Sequence, residues 1–109
     1  MTITYTPKTK AAVATSSLTT IYTVPSDTTT RVEKITITNG ATAGTVTLKF
    51  YDASATTSYF LACNAYPIAA NALREIAGEI LETGDYLQIS AATTTDLTVK
   101  LNYVEAVVS

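Results

Sequence analysis

Residues 18–39 read LTTIYTVPSDTTTRVEKITITN, from Leu18 to Asn39. Two β-type runs meet here through a Pro25-Ser26-Asp27 turn and a dense series of threonines, with Ser26–Thr30 read as the turn. Ile21, Val24, Ile35 and Ile37 are apolar anchors, and most of what separates them carries a hydroxyl. β-branched residues lose little extra freedom on a pleated strand, where threonine can face either core or water. Pro25 cannot donate to a central ladder and ends the first run. In the second run Ile35 and Ile37 share a face, whereas regular pairing puts Val32 on the opposite one. An extra residue near Glu33 and Lys34, a β-bulge, brings all three inward. The stretch predicts a β scaffold and no reaction centre.

Outward from this stretch the signals repeat. Asn39-Gly40 predicts a turn with positive φ angles, and Gly44 closes a short hairpin loop. Thr45–Asp52 alternates, with Val46, Leu48 and Phe50 on one face and Thr47, Lys49 and Tyr51 on the other. Ser58–Ala65 reads as a strand, apolar on both sides around Phe60 and Leu61. Residues 67–82 are ambiguous. Leu73, Ile76, Ala77 and Ile80 fit a helical face, with Asn71 as its cap, and the pattern slightly favours that helix, although Gly78 sits mid-segment and the stretch also reads as two short strands hinged there. Gly84-Asp85 turns into Tyr86–Ala91, and the last strand points Leu97, Val99, Leu101 and Tyr103 inward, followed by an apolar tail. Thr2–Ser17 is small and polar and reads as an extended arm or edge segment ordered by a partner. Turn signals at this spacing predict an all-β chain, a single antiparallel sandwich or barrel over 18–109 with an extended N-terminal arm over 1–17.

The chain has 109 residues, the size of one domain. Only 15% are charged, below the ~25% of an average soluble domain, so the surface has little electrostatic reason to avoid other protein. The net charge is −2 and the seven basic residues are scattered, which speaks against nucleic-acid binding by phosphate neutralisation. The N-terminal residues show neither the basic nor the apolar region of a signal peptide, and no apolar run approaches the ~20 residues of a membrane span. The expectation is a soluble protein made in a cytoplasm.

Chemistry is sparse. Without histidine, Ser-His-Asp and Cys-His arrangements are impossible. Cys63, alone in an apolar run, reads as a buried small hydrophobe. Glu75, Glu79, Glu82 and Asp85 form the densest acidic group and read as charged surface. Asp27 and Asp52 lie in polar loops without a second carboxylate, so no metal is expected. Phosphate-binding glycine motifs are absent, and no cofactor is expected. Of the seven tyrosines, Tyr51, Tyr59, Tyr66 and Tyr103 have three readings: strand packing, protein-interface anchors, or a stacking platform for sugars.

Taken in order, the landmarks IYTVPSDTTTRVEKITITN, VTLKFYD, SYFL, YPIAAN, LREIAGEILETGDYLQISA and DLTVKLNYVEAV resemble small β-sandwich structural proteins of tailed bacteriophage virions. The matching residues are Thr23-Val24-Pro25, Thr38-Asn39, Leu81-Glu82, Gly84-Asp85, Leu87, Ile89 and Ala91, within a span from Leu18 to Glu105. Asp27 departs from the glycine usual after Pro-Ser in such proteins, though aspartate tolerates turn geometry. The resemblance implies a jelly-roll-like sandwich, strands over 67–82, no catalytic residues, and a place in the virion. It implies a non-enzymatic capsid decoration (cement) protein, or a tail, baseplate or fibre-attachment module. Its partners would be the major capsid protein or other virion proteins, with further copies of itself as a dimer or trimer. Candidate interface residues are Tyr5 on the arm, Tyr51, Tyr59 and Tyr66, and Val107 in the apolar tail. A carbohydrate-binding module is the reading from another class.

Overall fold

The computed structural model describes Met1–Ser109 and contains eight strands: β1 (Ile3–Val13), β2 (Thr19–Thr23), β3 (Thr28–Thr38), β4 (Gly44–Asp52), β5 (Thr57–Ile68), β6 (Leu73–Leu81), β7 (Tyr86–Ala92) and β8 (Thr98–Val108). They form two four-stranded antiparallel sheets, ordered β1-β8-β3-β6 and β2-β7-β4-β5. We call them sheets A and B. Only β4 and β5 are consecutive strands of one sheet; every other connection crosses to the facing sheet, giving a jelly-roll-like order. This corrects the hairpin expected after Asn39, because β3 and β4 lie in different sheets. Neither Asn39 nor Gly40 adopts positive φ. Asn39 is instead buried, and its side-chain amide donates to Thr42 O and Ala69 O (2.9 and 3.1 Å), which fixes the crossing loop.

The opening stretch supplies β2 and β3, one strand to each sheet. The register of β3 against β8 shifts between Val32 and Lys34, at the expected bulge, and Val32, Ile35 and Ile37 are all fully buried. The threonines expected in the turn belong to β3, with Thr28 and Thr30 pointing into the interior. A buried hydroxyl needs a partner. Thr28 donates to Ser26 O (2.9 Å), and Thr30 meets Tyr22 Oη (2.7 Å).

Residues 73–81 are strand and not helix. Gly78, with φ +57°, lies beside the β3 bulge and lets the face of β6 switch, so that Ile76 and Leu81 are both buried. A Cβ at Gly78 would meet no atom within 4 Å. Gly78→Ala is therefore expected to cost about 1 kcal/mol through backbone conformation alone, read as a lower midpoint in urea; an unchanged midpoint would mean that the bulge relaxes.

The segment read as an arm or edge segment is β1, paired with β8 without a register break from Ile3↔Val108 to Val13↔Thr98. Thr2 and Ser109 exchange both backbone hydrogen bonds (2.9 and 2.8 Å), and Ala14 N–H donates to Leu97 O. Antiparallel alternation then directs the polar groups of Thr4, Thr6, Lys8, Lys10 and Ala12 toward β8. Those of Ile3, Tyr5, Thr9, Ala11 and Val13 face the open edge. Pro7 falls in the second set, so its missing N–H costs the ladder nothing.

Candidate functional site

The most connected polar cluster lies inside the sandwich. Alternation along β8 places Glu105 in phase with the buried Val99, Leu101 and Tyr103, and it is itself only 4% exposed. Tyr22 Oη, from sheet B, donates to Glu105 Oε2 (2.6 Å), while Lys8 Nζ, from the edge strand, sits 2.6 Å from Oε1. The Tyr22 ring also leans on Tyr103, with centroids 4.7 Å apart. Burial is the largest single influence on Glu105 and pushes its pKa up. The Lys8 and Tyr22 hydrogen bonds and the Lys8 charge together outweigh it, so the carboxyl lies below its ordinary range. Lys8 is raised by the same hydrogen bond and charge, and Tyr22 is raised chiefly by burial. Strands β1, β2 and β8 are thus tied through one carboxylate, and β3 joins them through the Thr30 and Tyr22 hydroxyls. The sequence reading missed this cluster. Its one signal was the parity of LNYVEAV, which continues the inward phase from Tyr103 to Glu105.

The surface candidates lie apart from one another. Tyr5 is 68% exposed on the outer face of sheet A, where it lines a shallow groove of about 130 Å³ with Thr29, Arg31, Val104 and Ala106. Register adds Ile3 and Val108 to the same face, and Ile80 follows beyond Arg31 on β6. Val107 points the other way, paired with Thr4 and Thr28 and half-buried. Tyr51 stacks on Tyr86 on the outer face of sheet B, with centroids 4.5 Å apart and planes 12° from parallel. Tyr59 and Tyr66 lie on edge strand β5 opposite the inward-facing Phe50 and Val46. The Tyr66 ring carries the Arg74 guanidinium at 4.2 Å, beside a groove of about 330 Å³. Tyr103 is in the core. The four tyrosines considered for sugar stacking therefore do not form one platform.

The acidic group is dispersed as well. Glu75 pairs with Thr36 on the outer face, while Glu79 pairs with the inward-facing Val32, and burial raises the Glu79 pKa. Asp85 accepts from the backbone N–H groups of Ala53 and Glu82 (both 2.9 Å) and acts as a loop anchor. Asp52 accepts from the Ser54 hydroxyl and backbone (2.7 and 3.0 Å), which lowers its pKa. Cys63 is buried, and burial raises its thiol pKa, opposed in part by Arg74.

These features define a jelly-roll-like sandwich whose polar interior holds strands together and whose largest exposed apolar side chains lie mainly on edge strands. No family model matches the chain, and no curated protein matches it in sequence. Its fold is similar to that of a chain from Bacillus endospore appendages, described as a novel family of disulfide-linked pili, with TM-score 0.61 and 16% identity over 99% of this chain and 90% of that one. A chain from the virus-like particle of the giant freshwater prawn Macrobrachium rosenbergii extra small virus gives TM-score 0.47 and 13% identity, over 100% of this chain and 82% of that one. At 16% identity, what the pilus chain shares with this one is the fold alone.

Proposed function

We propose that the protein is a non-enzymatic structural subunit of a tailed-bacteriophage virion, a decoration protein that docks on the capsid shell and stabilises it. The observation that carries this reading is the outer face of sheet A, where Ile3, Tyr5, Val104, Ala106 and Val108 lie side by side on two adjacent strands. A sandwich face turned to water alternates in polar residues; a contiguous apolar patch marks a contact surface. The order of sequence landmarks and the low charge support the same reading. Many copies, each burying a modest area, would stabilise a lattice by mass action.

The test is addition of the purified protein to parent particles that lack it. Saturable binding and a rise in shell melting temperature are expected, with affinity reduced at least about tenfold by Val104→Asp, since a charge placed in an apolar contact must be desolvated. Absence of binding would exclude the capsid role. A filament subunit is the second reading, supported by the fold likeness to the Bacillus pilus chain. Here the only cysteine is buried, so copies of the folded chain would join by contacts other than a disulfide. Filaments of purified protein seen in negative stain, with no capsid binding, would favour that reading.

A further inference from the structure

Sheet A ends in two open strands of opposite character. β1 is 11 residues long, unbulged and exposed along nearly its whole length. It carries Lys8 and Lys10 and no acidic residue. At the other edge, Leu73–Glu82 carries Arg74 against Glu75, Glu79 and Glu82. None of the backbone hydrogen bonds outside the sheets involves the open side of either strand. The other two edges are less suited to receive a strand. β2 has five residues and a register shift, and β5 is broken by shifts, with positive φ at Ala62 and Ala65.

We propose that the β1 edge of one copy receives the β6 edge of a second copy, which continues sheet A from molecule to molecule. The proposal rests on the reading of the chain as a structural subunit and names the surfaces by which copies join. The observations favouring it are independent of one another. Every neighbouring pair in sheet A is antiparallel, so β1 and β6 run in opposite senses, and a second copy in the same orientation extends the alternation. On β6, Asn39 N–H donating to Ala72 O sets the phase. Leu73, Glu75 and Ala77 then turn their polar groups to the open edge, as Thr9, Ala11 and Val13 do on β1. Both sets carry outward side chains, so the faces agree.

With Val13 opposite Leu73, Ala11 opposite Glu75 and Thr9 opposite Ala77, the two irregularities, Pro7 and Gly78, fall next to each other beyond the paired stretch. Val13 and Leu73, 60% and 57% exposed in the single chain, cover one another. The inner-facing Glu79 comes to the side of Lys8 and Lys10. Pairing β1 with a second β1 would instead bring lysines together, which is unfavourable across strands. The contact uses different surfaces on the two partners and so builds chains or rings rather than a two-fold dimer.

The experiment is oxidative cross-linking of the Thr9→Cys/Ala77→Cys double variant, with sedimentation of Ala11→Pro alongside. A ladder of disulfide-linked oligomers from the double variant, and none from either single variant, is expected. Ala11→Pro removes an edge-facing N–H and leaves the β8 ladder intact. It is expected to keep its β-sheet spectrum while raising the concentration needed for association about tenfold or more. Dimers from Thr9→Cys alone, association unaffected by Ala11→Pro, or a wild-type monomer at every concentration would each overturn the proposal. Capsid binding by a protein that stays monomeric would overturn it and leave the decoration role standing.

Discussion

Replacing Glu105 with alanine is expected to lower the stability of the fold by about 3–4 kcal/mol, since hydrogen bonds to a charged group contribute ~1.5–3 kcal/mol each. For a domain of this size that is a fall in Tm of more than about 12 °C. The loss has two parts. Tyr22 Oη keeps Thr30 but loses its acceptor, and Lys8 loses its ion-pair partner inside the sandwich. Glu105→Leu combined with Tyr22→Phe is expected to recover part of the loss, because the two apolar groups match each other and only the Thr30 hydroxyl is left without its partner. Simple additivity of the two substitutions would show that the hydroxyl and the carboxylate act independently.

The same cluster sets the pH response. The folded Glu105 carboxyl lies below its ordinary value. Its contribution is therefore complete above the ordinary glutamate range of ~4.3 and fades as pH falls through the lower, folded value. Lys8 is raised, so its contribution is complete below the ordinary lysine value of ~10.4 and fades above it. Thermal melts from pH 2 to 11 are expected to show both shoulders, and Glu105→Gln should flatten the acid one. An acid shoulder unchanged in Glu105→Gln would assign it to other carboxylates.

Asp85→Ala is the second large effect, about 2–3 kcal/mol, because two part-buried N–H donors lose their acceptor and each unmatched donor costs ~1–3 kcal/mol. The residue joins three segments. Its side chain holds Ala53 in the β4–β5 hairpin and Glu82 at the end of β6, while its carbonyl accepts from Val24 N–H after β2 (2.9 Å). Asp85→Asn keeps one acceptor oxygen and is expected to lose about half as much. Denaturant midpoints of the two variants measure this directly, and equal losses would point to charge rather than hydrogen bonding.

How far the residues foretold these results depended on the range of the interaction. The bulge at Glu33–Lys34 was legible because three apolar residues could reach one core only if the parity broke. The Gly84-Asp85 turn was legible as a turn, with Gly84 at φ +88°. Its carboxylate's grip on Ala53 was not, since those residues meet only after the sheets stack. The threonines after Pro25 were misread for the same reason. The Thr28 and Thr30 hydroxyls are satisfied inside by Ser26 and Tyr22, and polarity alone suggested turn. The choice between helix and strand for 73–81 was decided by the β3 edge, which offers that segment a ladder. Lys8 gave no local sign of its role, for its partner stands 97 positions along the chain.

The place of β8 in sheet A has a consequence for how the protein comes into being. This last strand lies between the first strand and the third, so during synthesis β1 has no neighbour in its own sheet until Thr98–Val108 emerges. Sheet B, drawn from β2, β4, β5 and β7, can pair earlier. The nascent chain should thus hold sheet B with only the β3–β6 pair to face it, and part of its apolar inner side open, until the closing strand arrives; long-range pairings of this kind are slow to form. Ribosome-bound chains halted before residue 98 are then the species most exposed to chaperones and to aggregation.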